Sequence, residues 1–282
     1  MDIGGTHVTA GRVDTRARVV EARTRVSLPA AGTRTELLDE LGRAATSIAR
    51  SDVAQVGVAV PGPFDYAAGV SRVQHKLPAL YGVDLRSALG DALQMTDATA
   101  VRFLNDADAF ALGEWWAGAA RGHARAAGIT LGTGLGAAFV ADGAIVRSWP
   151  GIPADGALWE QSFRGKPVEQ TISSGALVAH YGAEPIECEE IAARANAGER
   201  SACRVFEELG RALAEFLQPW LRTFEPTCLV VGGSIARSWE LFAPALGAGL
   251  RPLESLRAVV AAQHLDDAAL LGAAWYVTRD GR

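Results

Sequence analysis

Three short glycine-bearing turns, each tied to an apolar run, constrain this chain more than anything else in it. The first is Asp2-Ile3-Gly4-Gly5-Thr6, ahead of an alternating stretch. The second is Gly132-Thr133-Gly134 inside "AAGITLGTGLGAAFV", and the third is Gly232-Gly233-Ser234 in "TCLVVGGSIA". The first two set glycines and threonine in a turn between two strands, and the third follows a buried strand and opens a helix. Such turns aim backbone N–H groups at one point, and glycine lets an anion approach them closely. Each alone also reads as a tight hairpin or a helix entry. Together, in this order, they point to a phosphate grip made of backbone, with a nucleoside against the third. The only lysines are Lys76 and Lys166, and no G-x-x-x-x-G-K-[ST] loop exists, so any phosphate must be held by other means. Asp2, beside the first turn, is placed to hold Mg²⁺ through water, because Mg²⁺ keeps several waters and takes few carboxylates.

The spaces between these turns read as alternating strands and helices. Residues 7–28 alternate through two runs around "DTRA", a hairpin pattern. Residues 36–50 return to helical spacing through Leu37, Leu38, Leu41 and Ile48. Val56–Val60 is a buried strand stopped by Pro-Gly-Pro, "DLRSALGDAL" a short helix, and "AVRFLND" a strand that ends on acids. From residue 126 the grammar repeats as strand, glycine turn, strand, Asp-Gly turn, strand. Residues 150–176 read as irregular. A long amphipathic helix follows on the stripe Val205, Leu209, Leu213, Leu217 and Leu221, with a kink expected at Pro219. Residues 266–277 read as a closing helix.

Length and charge set the outer bounds. A chain of 282 residues that is 49% hydrophobic buries a large core, in one large domain or two lobes. A net charge of −5 argues against a nucleic-acid or anionic-membrane surface. Cys188, Cys203 and Cys228 show no C-x-x-C spacing, which supports neither a disulfide framework nor a cysteine zinc site. No leader or membrane-length apolar run is seen, which places the chain in a reducing, cytoplasmic setting. Only Met1 precedes "DIGGT", so the first strand is short and a start further upstream is expected.

The chemistry concentrates in "LNDADAFALGEWWAG", residues 104–118, where Asn105, Asp106 and Asp108 meet a helix start. Either acid is a competent helix cap. Phosphoryl transfer, in turn, needs a carboxylate near the attacking hydroxyl.

Taken together, "DIGGT" at 2–6, "GVAVPGPFD" at 57–65, "LNDADAFALGE" at 104–114, "GITLGTGLGAAFVADG" at 128–143 and "LVVGGSIA" at 229–236 resemble the ROK family. That family comprises sugar kinases and sugar-responsive repressors on the actin-like ATPase fold. The resemblance implies an α/β, ribonuclease H-like fold with two lobes and a central cleft. Residues 1–113 plus 266–282 would make the lobe that contacts sugar and phosphate, and residues 114–265 the lobe for nucleotide binding and dimerisation. It implies ATP with Mg²⁺ and a hexose or amino sugar, and a homodimer with neither nucleic acid nor membrane as partner. Asp106 would be the general base, Asn105 a sugar ligand, and Asp108 the cap of a helix from Ala109. Gly62 would approach the sugar in the loop "VPGPFDYAAGV", while Gly4, Gly5, Thr6, Gly132, Thr133, Gly134, Gly232, Gly233 and Ser234 would face the nucleotide.

One region departs from the family. Where most members carry "GELGH" and a cysteine-rich zinc loop, this chain reads "DGALWEQSFRGKPVEQTISSGALV", which predicts no structural zinc. Ala157 stands at the family's first glutamate position and Glu160 at its histidine. Glu169 fits the last glutamate and is a sugar ligand by the match. Glu160 is either a hydroxyl acceptor or a solvated acid. Trp159 and Phe163 are either an apolar wall for a sugar ring or core. Two alternatives accompany the kinase reading: a sugar-binding regulator, and a degenerate protein without catalysis.

Overall fold

The computed structural model describes residues 1–282 except 30, 51–52, 75–76, 183–185 and 280–282. It divides into two units, Met1–Gly118 with Asp266–Arg282, and Ala119–Leu265.

The first unit opens with β1 (Asp2–Ile3), β2 (His7–Asp14) and β3 (Val19–Ser27). The β2–β3 hairpin is the one its alternation predicts, and the Asp14 carboxylate caps its turn by accepting the Arg16 and Ala17 N–H groups. Then come α1 (Arg34–Ile48), β4 (Val56–Val60), a miniature hairpin of β5 (Phe64–Asp65) and β6 (Val70–Ser71), and α2 (Leu85–Ala92). The unit's middle closes with β7 (Val101–Asn105) and α3 (Asp106–Trp116). Helix α1 starts where Thr33 and Glu36 form a reciprocal capping box, each satisfying the other's backbone N–H. The sheet runs β3-β2-β1-β4-β7. Strands β1, β4 and β7 are parallel, and β4 carries no polar side chain because both its faces are covered.

The second unit begins with β8 (Arg125–Leu131), β9 (Leu135–Ala141) and β10 (Ala144–Ile145). The irregular stretch holds short 3₁₀ turns and a two-residue hairpin, β11 (Ser162–Phe163) with β12 (Lys166–Pro167). Helices α4 (Ser174–Tyr181), α5 (Cys188–Asn196) and α6 (Arg200–Phe224) lead to β13 (Cys228–Gly232), α7 (Trp239–Leu250) and β14 (Ala258–Ala261). Its sheet runs β10-β9-β8-β13-β14, with β13 parallel to both neighbours. The predicted stripe of α6 is buried, and the helix runs through Pro219 to Phe224 as one element. Pro219 and Glu215, one turn before it, both lie exposed, so water can serve the carbonyl that proline leaves without a donor. The chain then returns to the first unit as α8 (Ala268–Arg279), which packs along α3 and β4 and buries Leu270, Leu271 and Ala273.

Candidate functional site

In the first unit the chemistry gathers at the C-terminal ends of the parallel strands. The β4–β7 ladder holds to its last pair, Val60 with Asn105, so the strand ends on that asparagine and the helix begins at once with Asp106. Asn105 is therefore the cap: its Oδ1 accepts the Ala107 N–H at 2.9 Å and the Asp108 N–H at 3.4 Å. Asp108, expected to cap a helix from Ala109, instead lies inside the first turn and is 1% exposed. Three cap-forming residues within four positions gave the sequence no means of choosing, and the strand register makes the choice.

Asp106 sits at the first helical position, exposed, with its Oδ1 accepting the Ala107 N–H at 2.9 Å. A carboxylate there is favoured by the helix dipole. Asp2 stands close enough for the Asp106 charge to act on it. Burial, first, and that like charge, second, raise the Asp2 carboxyl to about 6, against the opposing pull of the chain's ammonium terminus and Arg25. The Gly4-Gly5-Thr6 turn is closed by the Gly4 N–H donating to the His7 carbonyl at 2.9 Å. Thr6 is exposed, with its hydroxyl 2.9 Å from His7 Nδ1, and Arg25 approaches the other ring nitrogen at 2.6 Å.

One residue that the sequence reading did not single out belongs here. The Tyr66 hydroxyl donates to the Val60 carbonyl at 3.2 Å and accepts from Asn105 Nδ2 at 3.2 Å. Its ring packs against Phe64, 5.3 Å between centroids, and its hydroxyl stands 3.7 Å from where a Cβ on exposed Gly62 would lie. With Oδ1 on the helix and one Nδ2 hydrogen on Tyr66, Asn105 has a fixed orientation. The only clue in the sequence was an aromatic residue shortly after the Pro-Gly-Pro turn.

A cavity of about 360 Å³ lies elsewhere in this unit, lined by Met1, Gly11, Val13, Val56, Gly57 and Leu270 among others. It opens at the starts of β1 and β4, the opposite end of these strands from Asp106, and takes no part in the site.

The second unit assembles the other two glycine turns. The Gly132 N–H donates to the Gly134 carbonyl at 3.0 Å, leaving Thr133 exposed at the tip. A Cβ on Gly132 would lie 3.3 Å from Ser234 Oγ, so the second and third turns are neighbours. Gly232 is not itself in a turn: it is buried and pairs with Thr130 as the last residue of β13. The turn is made by Gly233, at φ +83°, where a Cβ would stand 2.3 Å from the Leu131 carbonyl oxygen. Both the left-handed backbone and the close approach require glycine. Gly233→Ala is expected to lose about 1–3 kcal/mol of stability, measured by urea unfolding. Unchanged unfolding would show that the turn is not held in this form.

Glu169, assigned by resemblance to the sugar, reaches into the second turn: its Oε1 accepts the Leu135 N–H at 2.9 Å. At Gly134 the missing side chain makes room for that carboxylate, since a Cβ would lie 2.3 Å from Oε1. Of the pair left open as wall or core, Phe163 is core, 5.5 Å from the Phe216 ring, whereas Trp159 is 52% exposed. Glu160 is exposed at the end of a short 3₁₀ turn. Among the described residues no group of three or more His, Cys, Asp or Glu side chains gathers as a metal cluster would require, and no helix is long and apolar enough to cross a membrane.

Comparison with known proteins places this arrangement. The family model described as "ROK family" matches residues 1–280. The chain belongs to the ROK family. Its ROK relatives include the glucokinase of Thermotoga maritima, 26% identical over 97% of this chain and 95% of that protein. The N-acetyl-D-glucosamine kinase of Pectobacterium carotovorum is 29% identical over 97% and 96%. Among solved structures, a ROK family glucokinase from Streptomyces griseus, in complex with glucose and AMPPNP, matches with a TM-score of 0.77. It is 26% identical, over 97% of this chain and 96% of that one. The ROK fold seen here is accordingly the actin-like ATPase fold with two lobes.

Proposed function

We propose that this ROK protein is an ATP-dependent sugar kinase in which Asp106 takes the proton from the attacking hydroxyl of a hexose or hexosamine. The observation that carries the reading is the environment of Asp106: exposed, first in its helix, beside the capping asparagine and near a like-charged carboxylate. Relatives named for glucokinase and N-acetylglucosamine kinase activity support the substrate class, and an ATP analogue bound to a ROK glucokinase supports the donor.

The division of labour follows from the residues. Asn105, with Tyr66 and its own helix fixing it, offers its remaining amide hydrogen to a sugar hydroxyl. Gly62 leaves the sugar's approach open on the same side, and Glu160 and Glu169 are further candidate acceptors. The backbone of Gly4, Gly5 and Thr6 and of Gly132, Thr133 and Gly134 would hold phosphate oxygens. Gly232, Gly233 and Ser234 would face the nucleoside. Two like-charged carboxylates near each other, one buried enough to resist ionising, fit a divalent cation, with Asp2 holding Mg²⁺ through water. Such an ion would supply neutralisation of the phosphate charge.

ATP consumption across hexoses, hexosamines and N-acetylated sugars tests the reading. Sugar-stimulated ADP release with at least one of them is expected, and none with any would remove the kinase assignment. Ala157, half-buried, and exposed Glu160 replace the family's glutamate and histidine. An unpaired buried hydroxyl costs about 1–3 kcal/mol, so the preferred sugar is expected to differ from that of members with the full set. Tyr66→Phe is expected to lower kcat/KM for the sugar about fivefold, the worth of one hydrogen bond near 1 kcal/mol, chiefly through KM. The Phe64 contact would keep the ring in place. An unchanged KM would show that Asn105 needs no second anchor.

A further inference from the structure

Glu169 is held in a way that a plain sugar ligand would not need. Its Oε1 accepts the Leu135 N–H at 2.9 Å, at the point where the Gly132-Thr133-Gly134 turn re-enters β9. The same short segment grips the other end of that turn, where the Ser174 N–H donates to the Gly132 carbonyl at 2.8 Å. Between these two contacts the segment is braced internally. The buried Ser173 hydroxyl donates to the Glu169 carbonyl at 2.6 Å and accepts the Ala176 N–H at 3.1 Å, which caps α4. Residues 169–174 thus clamp the glycine turn at both ends. Glu169 Oε2, in contrast, makes no hydrogen bond among the described residues, and its carboxylate is half-exposed.

We propose that Glu169 is a positioning residue for the nucleotide turn, and that it couples the nucleotide grip to occupancy by the sugar. Oε1 fixes the turn; Oε2 accepts a sugar hydroxyl. The proposal rests on the sugar-kinase reading for its second half only. A bare carboxylate beside a backbone anion nest repels the phosphates the nest is built to hold. A hydroxyl donating to Oε2 draws charge away from that side of the group, while Oε1 keeps the turn in register. Sugar binding should therefore strengthen nucleotide binding, and by linkage the reverse.

The test titrates a non-hydrolysable ATP analogue, with and without the sugar that best stimulates turnover, into the parent, Glu169→Gln and Glu169→Ala. In the parent, sugar should tighten analogue binding about fivefold or more. Glu169→Gln keeps an oxygen for the Leu135 N–H but puts a donor at the other position. It should bind the analogue without sugar at least as well as the parent, and sugar should no longer improve it. Glu169→Ala removes the charge equally and the anchor as well. It should bind the analogue more weakly than Glu169→Gln, and the Leu135 amide should exchange with solvent faster in Glu169→Ala alone. Equal analogue affinity and equal Leu135 exchange in the two variants would overturn the anchoring. Persistence of the sugar effect in Glu169→Gln would overturn the coupling. If no sugar stimulates turnover in the parent, the kinase reading fails and the coupling falls with it, while the sugar-free comparison of the two variants still decides the anchoring.

Discussion

Asp106→Asn is expected to lower kcat for sugar phosphorylation by about 10²–10⁴-fold, the usual contribution of a positioned general base, or about 3–5 kcal/mol of barrier. The substitution is nearly isosteric and keeps an oxygen at the place where Oδ1 accepts the Ala107 N–H. Helix α3 should start as before, because its cap is Asn105 and not Asp106. Removing the charge also relieves Asp2 of its like-charged neighbour, so the melting temperature should not fall. Substrate affinity should change little, since the lost interaction is made as the proton moves, not when the sugar docks. The measurement is a steady-state assay of ADP release at saturating sugar and ATP, alongside a thermal melt. A variant that retained the parent's kcat would place the base elsewhere or dispense with one. A variant with lost activity and a lowered melting temperature would point to a structural role for the acid.

Much of the fold was legible because burial leaves a plain trace in a chain. The alternation along β3, the unbroken apolar runs of β4 and β13, and the α6 stripe are each direct records of which faces are covered. Helix boundaries were less so. Asn105, Asp106 and Asp108 have equal standing as caps in a string of letters, and only the pairing of Val60 with Asn105 decides among them. Pro219 stands inside α6 without ending it, since its solvent side can be hydrated. The site was legible as motifs and not as contacts. The glycine turns were visible, but the reason for Gly134 was not, because the carboxylate that fills its space comes from a residue 35 positions later. Tyr66 was missed for the same reason: its hydroxyl acquires a role only once β7 brings Asn105 alongside.

Asp2→Asn should make the ligand-free protein more stable at neutral pH while impairing catalysis. Folding lifts the Asp2 carboxyl from 3.8 to about 6, through burial and then through Asp106. Between those values the folded chain holds a proton that the unfolded chain has released, so stability falls as pH rises through that window. The contribution is fully present below about 3.8 and is lost above about 6. At pH 7 the folded state therefore carries an unfavourable carboxylate worth up to roughly 3 kcal/mol, reduced to about 1–3 by the partial access that water has to this residue. An asparagine has no charge to desolvate and no repulsion with Asp106. Urea unfolding in EDTA should show the variant ahead of the parent at pH 7, with the advantage fading by pH 4. The same substitution removes the carboxylate that would hold a hydrated Mg²⁺, and a loss of about 10–100-fold in kcat/KM for ATP is expected, the scale seen when an outer-sphere partner of a metal is removed. A parent that outlasts the variant at pH 7 would mean that something other than a cation already stabilises Asp2. A variant that is both more stable and fully active would remove Asp2 from the phosphate site altogether. The combination of gained stability with lost activity is the mark of a residue kept for the reaction at the expense of the fold.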